Sequence, residues 1–393
     1  MRTRTRRAPL PSGFGTIWTS VALDLVGFGI VLPLLPLYAR RFGASALTAT
    51  ALVAAFSAAQ LLFAPLWGRA SDRIGRKPLL LLSMAGTAAG SLLTGLAGSL
   101  PLLFVGRVVD GISGSSVSVA QAAVSDVAPP GERARLLGLL GAAFGVGFVA
   151  GPAIGALAAL GGPRVPFLLA GGLAAVNAVV AARRLPETHT AEARVESAPP
   201  VHAERTLPRE SLGVGQLIVL AFVALVAFSA FEVTLPLFGR ARLGFGQVST
   251  GAVFAGVGIL LALVQGGLVR PAVARLGEGG TLRGGLALNA VGLLLLAAVH
   301  SWWALVPALA SLTVGQGLAM PALTSVVAGR AHAHRRGGVL GVQQSAGGLA
   351  RVVGPVAGGA AFQHVGLAAP YLGGAVLMAA CVAAAGVTAA ARS

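Results

Sequence analysis

The stretch Gly68-Arg69-Ala70-Ser71-Asp72-Arg73-Ile74-Gly75-Arg76-Lys77-Pro78 decides the fold. Five of its eleven residues are ionisable, yet no Asp, Glu, Lys or Arg occurs from Phe42 to Gly68 or from Pro78 to Gly106. A bilayer crossing takes about 20 apolar residues, so each flank is long enough to span and the charged stretch is a short turn at a membrane surface. Of 393 residues, 55% are hydrophobic and 10% charged, against about 25% charged in a soluble domain. The apolar runs are continuous rather than alternating, which excludes a β-barrel. The fold class that follows is an all-α polytopic membrane protein with twelve transmembrane helices.

Spans are expected at about 14–39, 46–67, 79–99, 101–125, 136–160, 164–182, 214–239, 248–270, 283–300, 302–328, 338–362 and 368–390. The net charge of +17 would point to nucleic acid in a soluble protein, but position removes that reading. Of the 29 Lys and Arg residues, 22 fall in segments on the side of the amino terminus and five opposite, while Arg107 and Arg351 lie within spans. The positive-inside rule then places both termini in the cytoplasm, and the surplus of basic residues meets anionic headgroups. Arg2, Arg4, Arg6 and Arg7 precede an apolar stretch as in a signal peptide, but that stretch is too long and lacks a clear cleavage site. It reads as the first span. The single cysteine, Cys381, excludes an intrachain disulfide and a cysteine metal cluster.

An internal repeat sets the architecture. At an offset of 203 residues Pro33 falls on Pro236, and Gly138, Gly151, Pro152 and Gly155 fall on Gly341, Gly354, Pro355 and Gly358. One offset serves the first span and the fifth, so two six-helix halves are expected, 1–182 and 213–393, joined by a charged cytoplasmic linker, 183–212. Parallel repeats of this kind meet at a central site near the bilayer midplane.

Ionisable residues inside a membrane are costly and mark function. This chain has Asp24 in the first span, Arg107 and Asp110 in the fourth, Glu232 in the seventh and Arg351 in the eleventh. At 1.5 Å per residue, Asp24 and Asp110 both fall near mid-depth, about 15 Å from a helix end. Arg107 and Asp110 share a helix face, and a three-member cluster with Asp24 is expected. Such a cluster suits proton coupling, because weakening the pairing of a carboxylate changes its proton affinity; it serves equally as a buried ion network that fixes packing. Glu232 is expected to pair with Arg351. At the repeat offset Asp24, Arg107 and Asp110 match Ala227, Ala310 and Thr313, so the ionisable chemistry is concentrated in the first half.

Three motifs together resemble one family. The pattern Gly68-x-x-x-Asp72-Arg73-x-Gly75-Arg76-Lys77 is similar to the loop between the second and third spans of major facilitator superfamily transporters. Arg107-Val108-Val109-Asp110-Gly111 resembles the fourth-span motif Arg-x-x-x-Gly of its proton-linked members, and Gly147-x-x-x-Gly151-Pro152-x-x-Gly155 the fifth-span motif of its antiporters, with Ala156 where that motif often has a second Gly. The opening span, from Leu23 to Pro33, and Gly131-Glu132-Arg133-Ala134-Arg135 look like the tetracycline-efflux group of the drug:proton antiporters. The acids that this group carries in its third and ninth spans correspond here to Gly90 and Asn289.

The resemblance implies a secondary transporter that exports a small amphipathic organic compound or drug by alternating access, with the proton gradient as its energy source and no cofactor. A proton-linked importer of a small metabolite is the alternative. The ionisable residues within spans (Asp24, Arg107, Asp110, Glu232, Arg351) form the expected proton-coupling set, of which the resemblance reaches Arg107 with Gly111. The resemblance also implies a cytoplasmic gate in which Asp72, Arg76 and Asp126 form a charge relay with Gly68, Arg73, Gly75 and Lys77 around it. Phe28, Phe56, Gln60, Phe144, Phe228, Phe231 and Gln316 are the expected cavity side chains. The expected partners are the substrate, protons and lipid, with the chain a monomer that binds no nucleic acid. No nucleophile–base pair, phosphate loop or metal spacing points to an enzyme, and His332 and His334 lie in a basic surface loop. One Lys among 29 basic residues, with abundant Ala and Gly, points to a GC-rich bacterial genome and hence to the bacterial inner membrane.

Overall fold

The computed structural model describes residues 10–11, 13–114, 116–129, 132–188, 212–330 and 336–390. The described residues are almost entirely helical and contain no strand. In chain order the helices are α1 (Phe14–Arg40), α2 (Ala46–Ile74), α3 (Arg76–Leu96), α4 (Leu100–Ser113), α5 (Ser116–Val127), α6 (Arg133–Ala158) and α7 (Val165–Arg184). After the linker come α8 (Leu212–Leu243), α9 (Gln247–Leu263), α10 (Val269–Ala297), α11 (Trp302–Arg330), α12 (Arg336–His364) and α13 (Ala369–Ala390). Arg2, Arg4, Arg6, Arg7, Gly131, most of the linker, His332 and His334 lie outside the described residues.

Among the described residues nine helices are long and apolar enough to cross a membrane. One of them, Gln247–Ala297, has 51 residues, far more than a single crossing of about 20 requires. It joins α9 to α10 through a π-helical turn at Val264–Leu268 and kinks at Gly277, where φ is 69°. With α12 and α13 added, the helices are consistent with twelve crossings.

Three expected boundaries change. The 68–78 stretch is not an eleven-residue loop: α2 continues to Ile74, α3 starts at Arg76, and Gly75 alone leaves the helix, at φ 117°. A left-handed φ is open to glycine at little cost, so one residue turns the chain while the charged residues stay helical. The 271–282 connection is likewise helical apart from Gly277, one position from the repeat image of Gly75. The fourth span is not continuous, because α4 ends at Ser113 with the Gly114 N–H bonding back to Gly111 and α5 begins at Ser116.

Helices α1 and α6 pack together, as do α8 and α12, and these two crossings are images of each other at the offset of 203. Direct approach between the helices before residue 188 and those after 212 runs chiefly through α2 with α12 and α6 with α9, with smaller contacts of α1 with α8 and α9 and of α2 with α8. These contacts extend from the far side of the bundle, opposite the 68–78 turn, down to mid-depth. At the far side the Leu47 N–H donates to Gln363 Oε1 at 3.0 Å and Gln247 to the Pro163 carbonyl at 3.4 Å. One apolar cluster there draws on both sets of helices, with Leu34, Leu35 and Tyr38 against Val233 and Leu237. On the side of the 68–78 turn, Phe14, Ile17, Leu79, Met84, Val124 and Leu140 form a core within the first set alone.

Candidate functional site

The ionisable side chains of the first half do not form one three-member cluster. Arg107 and Asp110 lie one turn apart on α4 and pair at 2.6 Å, both buried, at 2% and 6% exposure. The guanidinium carbon of Arg107 also stands 4.4 Å from the centre of the Phe56 ring, a cation–π geometry, and Phe56 in turn meets Phe28 at 5.6 Å. Thr87 of α3 hydrogen-bonds Asp110. Asp24, half-buried on α1, instead accepts from the Ser116 hydroxyl at 2.5 Å. Asp110 acts on Asp24 electrostatically, so the two carboxylates sense each other without sharing the arginine. One turn below Asp24, Asn177 of α7 donates to the Ser20 carbonyl at 2.8 Å and fixes that part of α1.

Close packing holds α4 against its neighbours. A methyl group on Gly111 would stand 2.4 Å from the Phe56 carbonyl oxygen, and one on Gly90 of α3 would stand 2.6 Å from the Asp110 Cβ. Position 90, where the tetracycline-efflux group carries an acid, therefore has no room for a side chain. Asn289, at the other such position, is buried and donates to Gln316 Oε1 at 3.3 Å.

In the second half, Glu232 on α8 is half-buried and Arg351 on α12 is exposed. They act on one another electrostatically, but no direct ion pair within 4.0 Å joins them, so the expected pairing is one of proximity only. Glu232 falls on Gly29 at the repeat offset, and Arg351 on Phe148. Gly29 touches α6 backbone to backbone, a methyl there standing 2.4 Å from the Gly147 carbonyl oxygen; the equivalent α8–α12 crossing carries a carboxylate instead.

At the 68–78 turn Arg76 gathers three elements. Its Nη1 donates to Asp72 at 2.5 Å and to Ser71 Oγ at 2.6 Å, and its Nε donates to Asp126 at 3.0 Å. The guanidinium thereby ties the end of α2 and the end of α5 to the start of α3. Glu187, just past α7, accepts from the backbone N–H groups of Arg76 at 2.9 Å and Lys77 at 3.3 Å, a carboxylate at a helix N-terminus. Leu185 beside it is buried, and Pro186 packs on Gly13. Arg73 is exposed, Lys77 half-buried, and a methyl on Gly68 would meet nothing within 4 Å. In the second half the repeat images of Arg76 and Asp126 are Gly279 and Gly329, and nearby α10 and α11 are linked instead by Ser325 donating to Glu278 at 2.5 Å.

The Gly-Pro stretch of α6 is gripped from two sides. Methyl groups on Gly147 and Gly151 would stand 2.6 Å from Leu25 Cβ and 2.7 Å from Gly29 Cα, and one on Gly155 3.2 Å from Leu34 Cδ1, all on α1. On its other side, Ala156 and the Pro152 carbonyl meet Gly251 of α9, at 2.7 and 2.8 Å from a methyl placed there. The glycine absent from position 156 is thus supplied by the partner helix. In the repeat image Gly359 of α12 faces Thr50 of α2, so the small residue sits on the other helix.

The Major Facilitator Superfamily sequence profile matches residues 17–282 and 268–391. The chain belongs to this superfamily. The class D tetracycline resistance protein of Salmonella ordonez is 34% identical over 347 residues, covering 85% of each chain. The class E tetracycline resistance protein of Escherichia coli is 33% identical over 345 residues, covering 86% of this chain and 84% of that one. Among solved structures, the human organic anion transporter MFSD10 (TETRAN) superposes with a TM-score of 0.71 at 26% identity over 95% of this chain and 98% of that one. The protein is a multi-pass membrane transporter of small-molecule substrates and not an enzyme.

The expected cavity residues of this superfamily member separate into groups. Phe28, Phe56 and Gln60 gather around α4, with Gln60 donating to the Gly114 carbonyl. Phe144 lies against the first-half core near the 68–78 turn. Phe231 is fully buried in the second-half core with Phe228 beside it at 5.6 Å, and Gln316 is buried against Asn289. Sequence reasoning did not anticipate Ser116, Glu187, Trp67 or Ser83. A signal for the first was present in Gly111-Ile112-Ser113-Gly114, small and helix-poor residues inside an apolar span. Glu187 bonds backbone groups, which leaves no complementary side-chain pattern to find.

Proposed function

We propose that this transporter exports a small amphipathic organic compound or drug in exchange for protons, by alternating access between its two six-helix halves, 1–182 and 213–393. The observation that carries the reading is the pair of mid-depth carboxylates in the first half, half-buried Asp24 bound by Ser116 and buried Asp110 bound by Arg107. A carboxylate at mid-depth that holds a proton in one arrangement and releases it in another couples the proton gradient to helix movement. Glu232 and Arg351 supply charge in the second half, and no cofactor beyond the proton gradient is required. The two tetracycline resistance relatives support export of a drug-like molecule.

In this reading the protein lies in a bacterial inner membrane with the far side extracellular and the side of the 68–78 turn and both termini cytoplasmic, which the Lys/Arg distribution supports. Arg76, Asp72 and Asp126 are the cytoplasmic latch. Gly147, Gly151, Pro152 and Gly155 hold α6 closely between α1 and α9, where the two halves pivot. A susceptibility screen across compound classes, in cells lacking their own efflux pumps, tests the claim. The wild type raises resistance to at least one amphipathic class and Asp24→Asn does not; equal susceptibility of cells with and without the wild-type protein would remove the export reading.

A further inference from the structure

The break in the fourth span is built rather than incidental. In an uninterrupted helix the carbonyls of Ile112, Ser113 and Gly114 would accept from the N–H groups four residues on. Here α4 stops at Ser113, and three side chains take those carbonyls: Trp67 Nε1 donates to Ile112 at 2.5 Å, the Ser83 hydroxyl to Ser113 and the Gln60 amide to Gly114. In the apolar interior a backbone carbonyl must be satisfied within the protein, so the break is stable only while α2 and α3 present these donors. Beyond it, Ser116 is buried at 1% exposure and donates to Asp24.

The donors on α2 form one stripe. Phe56, Gln60 and Trp67 are separated by four and seven residues and share a helix face, which continues one turn to Ser71. That single face therefore meets, in order, the Arg107 guanidinium, two carbonyls of the break and, through Ser71 Oγ, the Arg76 guanidinium of the cytoplasmic latch.

We propose that Ser116 is a positioning residue for Asp24, presented by the break in the fourth span, and that α2 controls this presentation from the latch inward. The proposal rests on the reading of Asp24 as the proton-coupling carboxylate. A hydroxyl that donates to a carboxylate favours its ionised form, so the Ser116 bond holds Asp24 ready to receive a proton only after the break has shifted. Among the charged groups on the elements around Asp24, Asp110 acts on it and Arg107 pairs with Asp110. At this depth α2, α5, α6, α7 and α9 carry no ionisable side chain, and the one on α8, Glu232, lies beyond Ala227, the repeat image of Asp24, toward the far side.

The test is an infrared titration of the full-length protein in lipid, following the C=O stretch of protonated carboxyl groups, with Asp24→Asn identifying the Asp24 band by its loss. Ser116→Ala should move the midpoint of that band to higher pH by about one unit relative to the wild type. Ser116→Thr, which keeps the hydroxyl, should leave it within about 0.3 units. Gln60→Leu, which removes one donor from the break without touching Asp24, should move it in the same direction as Ser116→Ala. An unmoved midpoint in Ser116→Ala, or an equal movement in Ser116→Thr, overturns the proposal. Proton-coupled transport that persists in Asp24→Asn while the Ser116→Ala shift is present overturns the export mechanism and leaves the positioning role standing.

Discussion

Arg76 Nε donates to Asp126 Oδ2 at 3.0 Å, so the first residue of α3 is fastened to the last turn of α5. Its other donors reach Asp72 and Ser71 at the end of α2. A guanidinium serves three acceptors in different directions, whereas an ammonium is a single compact centre. Arg76→Lys is therefore not conservative here and should lower thermal stability in detergent. The Asp126 bond is the better shielded of the two ion pairs, with Asp126 22% exposed against 64% for Asp72. Asp126→Asn should cost about 1–2 kcal/mol and Asp72→Asn less, because exposed pairs are screened by solvent. Equal losses in melting curves would contradict this ranking.

Glu187 ties the segment after α7 to the same latch through two backbone N–H groups. Replacing a carboxylate that caps a helix N-terminus costs about 0.5–2 kcal/mol. Glu187→Ala should destabilise the protein by that amount and increase proteolytic cleavage near residues 185–188, while Glu187→Gln recovers part of the loss. Protease sensitivity unchanged in Glu187→Ala would show that the contact does not hold the segment.

The α1–α6 crossing leaves no room at Gly151, where a methyl group would stand 2.7 Å from Gly29 Cα and 2.8 Å from the Val26 carbonyl oxygen. Gly151→Val should reduce transport by more than about tenfold and lower the melting temperature, since overpacking typically costs 1–3 kcal/mol or more, roughly. Gly155→Ala sets a methyl 3.2 Å from the tip of Leu34 and 3.3 Å from the Ile30 carbonyl oxygen, tight but looser than at Gly151, and Gly138→Ala meets nothing within 4 Å. Transport assays on the three variants should rank them in that order of harm, with Gly138→Ala near wild type.

At the α6–α9 contact, Gly251→Ala sets a methyl 2.7 Å from Ala156 Cβ and 2.8 Å from the Pro152 carbonyl oxygen. Adding Ala156→Gly removes the first clash and leaves the second. The double variant should recover part of the lost activity, with a coupling energy of about 0.5–2 kcal/mol. Strict additivity of the two changes would mean that the helices do not meet there.

The charge pattern around Gly68–Pro78 carried the membrane reading and the superfamily, because charged residues between apolar runs are costly anywhere but at a surface. Its extent was overestimated: Arg69, Asp72 and Arg73 remain helical where the chain leaves the apolar layer, and one glycine suffices to turn. The break at Gly114 escaped because hydropathy registers apolarity, not helix continuity, and α4 with α5 together are as apolar as one span. Asp24 was legible as an intramembrane carboxylate but not its partner, since a serine within an apolar helix carries no charge to match. The donors Trp67, Ser83 and Gln60 bond backbone carbonyls, and nothing in sequence marks such pairs. Helix spacing correctly brought Arg107 to Asp110, a local relationship; the separation of Glu232 from Arg351 depends on how two distant helices pack.

The central claim is proton exchange through Asp24. The most direct measurement is uptake of a fluorescent amphipathic cation such as ethidium, and in parallel of tetracycline, into vesicles reconstituted with the purified protein and made acidic inside. The wild type should accumulate at least one probe against its gradient and alkalinise the lumen as it does so, with nigericin abolishing both. Asp24→Asn should accumulate neither probe. Acidification of the lumen on probe entry, or accumulation by Asp24→Asn equal to the wild type, would contradict the account.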